Sequence, residues 1–175
     1  PGVATASFDK TAITVTVAYR KAETNPQRVM TAIRTGGFGA SIGHGRGAYK
    51  PTKSFPQKMD IKLMASPGQR VDIRAGLVAG KVTVVDFGAA WCGPCRFVDE
   101  ELHKILEKHP DVAVRKIDVV SWSSPVAKQH LRGVPQLPYV VIYDKQGKEV
   151  DRFSGLDLDR LWRSICGAKG VKWPR

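Results

Sequence analysis

The chain has 175 residues, 42% of them hydrophobic and 25% charged, and its formal net charge is +12. This composition is typical of a globular protein with one large or two small domains, and it excludes disorder over the whole length. The longest apolar runs, such as residues 139–143, are the length of a strand, far short of the roughly 18 residues that a membrane-spanning helix needs.

The positive charge is concentrated in residues 1–70, which carry 11 basic and 3 acidic side chains. A basic segment of this kind can contact nucleic acid, an anionic membrane surface or an acidic protein. The Lys and Arg residues are dispersed, however, and few aromatic residues lie among them, which favours a solvated surface. We therefore expect no nucleic acid partner and no membrane span.

The first third of the chain predicts a small α+β module. Residues 13–17 alternate between apolar and Thr side chains, the pattern of a half-buried strand, and residues 4–8 are expected to pair with them. Asn25-Pro26 provides an N-cap and a first-turn proline for a helix that Gly36-Gly37 ends. A further strand is predicted at residues 38–42.

This order of elements, with Pro1-Gly2-Val3, residues 13–17 and residues 32–40, resembles the later part of a heavy-metal-associated domain, a small ferredoxin-like fold. The resemblance implies a partial module over residues 1–66. In that family a strand and a Cys-x-x-Cys metal loop precede the matching part, so no metal ligand is carried over to this chain. Residues 59–64 also alternate and are a candidate replacement for the missing strand.

Residues 67–170 predict strands that alternate with helices around a mixed sheet. Lys81–Phe87 suits a central strand buried on both faces, because it is almost continuously apolar. A helix should follow, from Cys92 or Cys95 to about Lys108. The other predicted elements are a helix at 71–78, a strand at 112–118, a helix at 124–130, strands at 139–143 and 149–153, a last helix from 157 that Gly167 ends, and a tail at 171–175.

Three cysteines are too few for a disulfide-stapled scaffold, and only Cys92 and Cys95 lie close together in sequence. Cys92 falls at a helix N-terminus, where unpaired N–H groups and the helix dipole favour a thiolate. We expect Cys92 to be a reachable nucleophile and Cys95 to stay protonated within disulfide distance of it. Half of a metal site and a purely structural pair remain as alternatives. Cys166 is predicted to be a small buried residue.

Residues 84–87, with Trp91-Cys92-Gly93-Pro94-Cys95-Arg96 after them, resemble the active-site signature of the thioredoxin superfamily. The resemblance implies an α/β thioredoxin fold over about residues 70–167. It implies that Cys92 attacks a substrate disulfide and that Cys95 resolves the mixed disulfide. Asp86 would be the buried carboxylate that relays the proton of Cys95, with Lys116 facing it. Carboxylates removed from water hold protons at higher pH, which suits this task.

The resemblance also implies a groove for substrate, with Pro138 rather than Pro135 as its cis-proline because Pro138 opens a predicted strand. The backbone of Leu137 would pair with an extended substrate segment. The complete implied groove consists of Trp91, Gly93, Pro94, Leu137, Pro138 and Gly155. Departures from the common family pattern at Gly88, at Glu100 and in the added Gln136-Leu137 favour a specialised member.

We therefore expect an enzyme that reduces protein disulfides, with no cofactor and no metal. Its partners would be a disulfide-containing protein and an upstream electron donor that the sequence does not identify. The alternative is a binding or assembly protein for metal handling, whose dithiol keeps the metal-binding cysteines of a partner reduced. We expect a bacterial source. Because the chain has no initiator Met and no leader, any export signal would have been removed, and a periplasmic or cytoplasmic location stays open.

Overall fold

The computed structural model describes residues 1–9, 14–36, 40, 42 and 55–172. It divides into two compact units, Pro1–Pro51 and Thr52–Arg175. Residues 52–66, which the sequence assigned to the first module, therefore belong to the second unit.

The described residues of the first unit form two strands and one helix, as predicted for this part of the chain. Their bounds are β1 Val3–Asp9, β2 Thr14–Tyr19 and α1 Pro26–Thr35, and the two strands are antiparallel. Asn25 caps α1, since its side-chain oxygen accepts a hydrogen bond from the N–H of Arg28 over 2.9 Å.

Two expectations for this unit are not confirmed. Val15 is 49% exposed, so the alternating pattern of β2 does not bury this side chain. The strand predicted at residues 38–42 lies mostly outside the described residues, and its two described members, Ala40 and Ile42, are not in a strand. The ferredoxin-like resemblance stays a prediction.

The second unit contains one five-stranded sheet with three helices. Its elements are β3 Ile61–Leu63, β4 Val82–Gly88, α2 Cys95–Lys108, β5 Val112–Asp118, α3 Pro125–His130, β6 Tyr139–Tyr143, β7 Glu149–Ser154 and α4 Leu158–Lys169. The strand order is β3-β5-β4-β6-β7. The first three are mutually parallel, whereas β6 is antiparallel to β4 and β7 is antiparallel to β6. The predicted mixed sheet is confirmed.

The central strand β4 is buried over its whole length, and its residues alternate between the two faces of the sheet. Val82 and Val84 pack in one apolar cluster with the inward residues of α2 and α4. Val85 and Phe87 pack in a second cluster with residues of α3. Helices therefore cover both faces, as the continuous apolar run predicts. None of the helices within the described ranges is long and apolar enough to cross a membrane.

The alternating residues 59–64 do not replace a strand of the first unit. They form β3, which pairs with β5 from Ile61 opposite Val114 to Leu63 opposite Lys116. Asp60 anchors this edge strand, because its carboxylate accepts hydrogen bonds from Arg115 Nη1 over 2.9 Å and from Lys81 Nζ over 2.8 Å.

Two predicted helices differ from the observed ones. The helix predicted at 71–78 is only a 3-10 turn at Arg74–Gly76. The last helix passes through Gly167 and ends at Gly170, which adopts φ 74°. A glycine inside a helix costs only about 1 kcal/mol, whereas a left-handed residue ends the helical hydrogen bonding.

Candidate active site

The cysteine pair lies between the end of the central strand β4 and the first turn of α2. Cys92 is in the loop after β4, and Cys95 is the first residue of α2. Their sulfurs are joined in a disulfide, with the two Cα atoms 5.4 Å apart. The backbone N–H of Cys95 donates a hydrogen bond to Cys92 Sγ over 3.2 Å. The sulfur of Cys92 therefore faces the unpaired N–H groups at the start of α2, as the sequence predicts.

Both cysteines are nearly buried in this disulfide form. Cys92 is 3% exposed and Cys95 is 5% exposed, and both belong to the apolar cluster that also includes residues of α3. The sequence predicts a more open Cys92. The difference arises because the loop turns back onto the apolar cluster, where Cys92 N–H donates to the carbonyl of Ala89 over 2.9 Å.

An exposed aromatic pair stands beside the disulfide. Trp91 is 47% exposed and Trp122 is 44% exposed, with their ring centroids 6.3 Å apart. The indole Nε1 of Trp91 donates to the carbonyl oxygen of Val120 over 2.6 Å, which fixes the orientation of its ring. Trp91 thus presents an apolar surface directly next to Cys92.

The turn that orients Trp91 has an unusual backbone. Val120 adopts φ 60°, a left-handed conformation that β-branched residues rarely take. The N–H of Ser121 donates to the carbonyl of Val119 over 2.6 Å, and the N–H of Val120 donates to Asp118 Oδ1 over 2.9 Å. These bonds hold a tight turn that aims the Val120 carbonyl at the indole.

The predicted groove residues come together at the start of β6. The Leu137–Pro138 peptide bond is cis. Leu137 is buried in the same apolar cluster as the two cysteines. The carbonyl of Pro138 accepts a hydrogen bond from the N–H of Gly155 over 2.8 Å, which places the end of β7 beside the cis bond.

The backbone conformation and the surroundings of Gly155 both favour glycine at this position. It adopts φ 85°, and a Cβ built on it would lie 2.2 Å from Gln136 Nε2. The Gln136 side chain, part of the added length before the cis-proline, therefore lies over Gly155. The remaining predicted groove residues, Gly93 and Pro94, form the loop between the cysteines and are buried and half-buried respectively.

A buried ion cluster lies on the other face of β4. Asp86 is fully buried, and its Oδ2 accepts a hydrogen bond from Lys116 Nζ over 2.9 Å. Among the described residues, no hydrogen-bond donor reaches its second oxygen, Oδ1. The predicted pairing of Asp86 with Lys116 is therefore confirmed.

The position of Gly88 relates Asp86 to Cys95. A Cβ on Gly88 would lie 3.6 Å from Cys95 Sγ, so this backbone passes close to the resolving sulfur. Asp86 precedes Gly88 by two positions in β4 and points to the same face, about 7 Å away along the strand. The Asp86 side chain and Cys95 therefore lie on the same face of β4, at strand positions two residues apart.

Asp99 completes this cluster, and the sequence predictions missed it. Its side chain contacts Lys116 Nζ, and the residue is 8% exposed on α2. The sequence predicts that Asp99 lies near the start of the helix after the cysteines, and it assigns no partner to this residue. A signal was present, however, because Asp99 follows Cys95 by four positions and precedes Leu102 by three, which puts it on the buried stripe of the helix.

The pKa values of Asp99 and Lys116 differ from those of free side chains. Burial and the charge of Asp86 raise the pKa of Asp99 to about 6, although Lys116 opposes this rise. Burial lowers the pKa of Lys116, but the two carboxylates outweigh it and bring the pKa above its ordinary value. Lys116 is therefore a fixed cation between two acids.

Within the described part of the chain, no group of three or more His, Cys, Asp or Glu side chains is arranged to hold a metal ion.

Comparison with known proteins places this site in a family. A family model described as Thioredoxin matches residues 72–165. Thioredoxin H-type 1 of Nicotiana tabacum is 37% identical over 92 residues, covering 53% of this chain and 70% of that protein. Thioredoxin H2 of Arabidopsis thaliana is 33% identical over 114 residues, covering 65% of this chain and 82% of that protein. The solved structure of Fasciola hepatica thioredoxin is 36% identical, with a TM-score of 0.43, and the match covers 51% of this chain and 83% of that one.

The chain belongs to the thioredoxin family. With its cysteine pair at positions 92 and 95 it is a thiol-disulfide oxidoreductase that acts on disulfide substrates. These comparisons do not favour the metal-handling alternative. The relatives named above come from two plants and from Fasciola hepatica, and they give no support to the predicted bacterial source.

Proposed function

We propose that this oxidoreductase works as a protein-disulfide reductase in which Cys92 and Cys95 donate two electrons. The observation that carries the proposal is the hydrogen bond from the N–H of Cys95 to Cys92 Sγ at the start of α2. In the reduced protein the same N–H stabilises a thiolate at Cys92, and a thiolate is the form that attacks disulfides. The Gly-Pro pair between the cysteines resembles reducing members of the family and favours this direction.

The reaction takes two exchange steps. The Cys92 thiolate attacks one sulfur of the substrate disulfide, forms a mixed disulfide and releases the other substrate sulfur as a thiolate. The Cys95 thiol then loses its proton and attacks Cys92 Sγ, which forms the internal disulfide and releases the second substrate thiolate. Two thiols are oxidised and one substrate disulfide is reduced, and the two protons of the enzyme thiols end on the substrate thiols.

Asp86 is the proposed acceptor of the Cys95 proton. Two observations support this assignment: the Oδ1 atom of Asp86 is buried without a hydrogen-bond donor among the described residues, and Gly88, two positions further along β4, approaches Cys95 Sγ. A base near Cys95 would accept its proton as Cys95 attacks the mixed disulfide.

The proposed substrate is an extended segment of a protein. Leu137 precedes the cis-proline and would offer its backbone groups to such a segment, in the manner of an added strand. Trp91, with Trp122 behind it, forms an apolar wall on one side, while Gly155 and the overlying Gln136 bound the other. Gly93 and Pro94 form the loop that carries the disulfide.

All of these residues belong to the second unit, Thr52–Arg175, so we assign the activity to that unit. The oxidised pair must then be reduced by an upstream donor, which the exchange chemistry identifies only as a dithiol or an equivalent two-electron reductant.

Reduction of insulin disulfides, with dithiothreitol as the electron source, tests the proposal. The wild type should accelerate the reaction and Cys92→Ser should abolish the acceleration. Reduced Cys95→Ser, freed of dithiothreitol and then mixed with insulin, should accumulate a mixed disulfide with the substrate. Cys166→Ser is the matched control, because Cys166 is a free cysteine outside the site and its replacement should leave the reaction unchanged. A wild type that stays inactive with its pair fully reduced would refute the proposed direction.

A further inference from the structure

The buried cluster beneath the cysteines has an imbalance of charge. Within the ranges that the structure describes, Asp86 on β4 and Asp99 on α2 share one cation, Lys116 on β5. When both carboxylates are ionised the cluster carries one net negative charge, and when one of them holds a proton it is neutral. Burial penalises net charge, so this arrangement favours holding one proton.

Within the cluster, Asp99 is the residue that lies one helical turn after Cys95 in α2. Residues four apart on a helix lie on the same face with their Cβ atoms about 5–6 Å apart. Cys95 and Asp99 have this spacing, and both are buried in α2. A proton accepted by this cluster would therefore lie one helical turn from the thiol that must give up a proton during the reaction.

We propose that Asp99 is a positioning residue for disulfide exchange: by sharing Lys116 with Asp86, it keeps one exchangeable proton site available beneath Cys95. The inference rests on the proposed function for its chemical purpose, but the proton site itself exists independently of any substrate. In the resolving step, the Cys95 S–H bond breaks and its proton passes to the cluster, which changes from net negative to neutral. The Cys95 sulfur then bonds to Cys92 Sγ as the substrate sulfur leaves.

The charges around Asp99 support this role. From the sheet it faces Asp86 on β4 and Lys116 on β5, and along its own helix the adjacent Glu100 is exposed to solvent. Burial and the Asp86 charge raise the pKa of Asp99 to about 6, so proton uptake by the cluster falls close to neutral pH. If Lys116 served Asp86 alone, the pair would be neutral with both partners charged, whereas the second carboxylate gives the cluster one negative charge that a proton can neutralise.

The proton site can be measured in the oxidised full-length protein, where neither active-site cysteine titrates. NMR of labelled carboxyl carbons should show one buried proton taken up by the wild type with a midpoint near neutral pH. Asp99→Asn should move this midpoint down by at least one pH unit, and Asp99→Glu should restore most of it. Glu100→Gln removes the same charge from the exposed neighbouring position and should leave the midpoint in place. A midpoint in Asp99→Asn equal to that of the wild type would overturn the proposal.

A kinetic measurement connects the proton site to the exchange reaction. The resolving step, followed by release of a chromophoric thiol from a mixed disulfide on Cys92, should slow by about threefold to tenfold in Asp99→Asn at neutral pH. The pH profile of that step should shift in the same direction as the NMR midpoint. A purely structural Asp99 would change the thermal midpoint of unfolding without moving either curve, and this result would also contradict the proposal.

The two hypotheses fail in different ways. If the wild type reduces no disulfide substrate while the NMR midpoint still shifts in Asp99→Asn, the proposed reductase function fails and the proton site stands. If substrate is reduced but neither curve moves, the reductase function stands and the role of Asp99 is refuted.

Discussion

Lys116 Nζ lies 2.9 Å from Asp86 Oδ2 across two parallel strands, in direct register with it. This ammonium is the only cation that the described residues bring to the two buried carboxylates of the cluster. The stability of the fold at neutral pH should therefore depend on it.

Lys116→Met should destabilise the protein by about 3 kcal/mol at pH 8, because it leaves two buried carboxylates without a counter-ion. The sign of the pH dependence of stability follows from the proton affinity of the two buried carboxylates. Without Lys116 both carboxyl groups bind protons more strongly in the folded than in the unfolded state, so the fold is favoured at low pH and loses stability as the pH rises. Denaturant unfolding at pH 5 and pH 8 measures the difference.

Lys104→Met is the matched control, since the Lys104 side chain is 60% exposed in its ion pair with Glu101. It should change the free energy of unfolding little at either pH. An equal loss of stability in Lys116→Met at pH 5 and pH 8 would show that the ammonium does not serve as the counter-ion.

Asp151 should give the opposite pH dependence. The guanidinium of Arg160, with the Ser164 hydroxyl and a backbone N–H, lowers the pKa of Asp151 to about 2. Its contribution to stability is present above the unfolded value of about 4 and is lost as the pH falls toward 2. Asp151→Asn should cost about 1 kcal/mol at neutral pH, since solvent screens part of the interaction.

The free energies of unfolding of the Asp151→Asn variant and the wild type should become equal as the pH falls from 4 to 2. A difference that persists unchanged to pH 2 would mean that the carboxylate charge does not carry the contribution.

The strained turn beside Trp91 predicts a stabilising substitution. Val120 is 47% exposed and adopts φ 60°, so its replacement loses little packing and relieves backbone strain. Val120→Gly should raise the free energy of unfolding by about 1 kcal/mol, after the entropic cost of glycine. Val150→Gly, at an equally exposed position in β7, should instead destabilise the protein. Equal losses in both variants would contradict the account of strain at Val120.

The side chain over Gly155 predicts an effect on substrate binding. Gln136 lies where a Cβ on Gly155 would be, at the edge of the proposed groove. Gln136→Ala should lower the KM for a protein disulfide by roughly twofold or more with kcat unchanged, because it removes a side chain that substrate must displace. Gln146→Ala in the exposed turn before β7 is the control. A rise in KM for Gln136→Ala would mean that the amide contacts substrate favourably.

The strands and helices that carry the site were predictable because several local signals agree. The apolar run of β4 indicates the central strand that the structure shows, and in the first unit the Asn25 cap does the same for α1. The pairing of Asp86 with Lys116 was inferred from family resemblance alone, and the register of β4 with β5 provides its physical basis.

The features that the sequence did not predict have separate physical causes. The alternation of residues 59–64 predicts a strand but cannot identify its partner, which β5 supplies across a long stretch of sequence. Asp99 was overlooked because acidic residues near a helix start are usually solvated, and only the position of Lys116 in space shows that this one is paired. The burial of Cys92 depends on how the loop packs on α3, which no local pattern contains.

The ionisation of Cys92 is the central claim, and the pH dependence of iodoacetamide alkylation in the reduced full-length protein tests it most directly. Mass spectrometry assigns the modified residue. We expect Cys92 to react first, with a midpoint at least one pH unit below the free-thiol value of about 8.5, while Cys95 stays unmodified. A midpoint for Cys92 at or above 8.5, or faster modification of Cys95, would contradict the account.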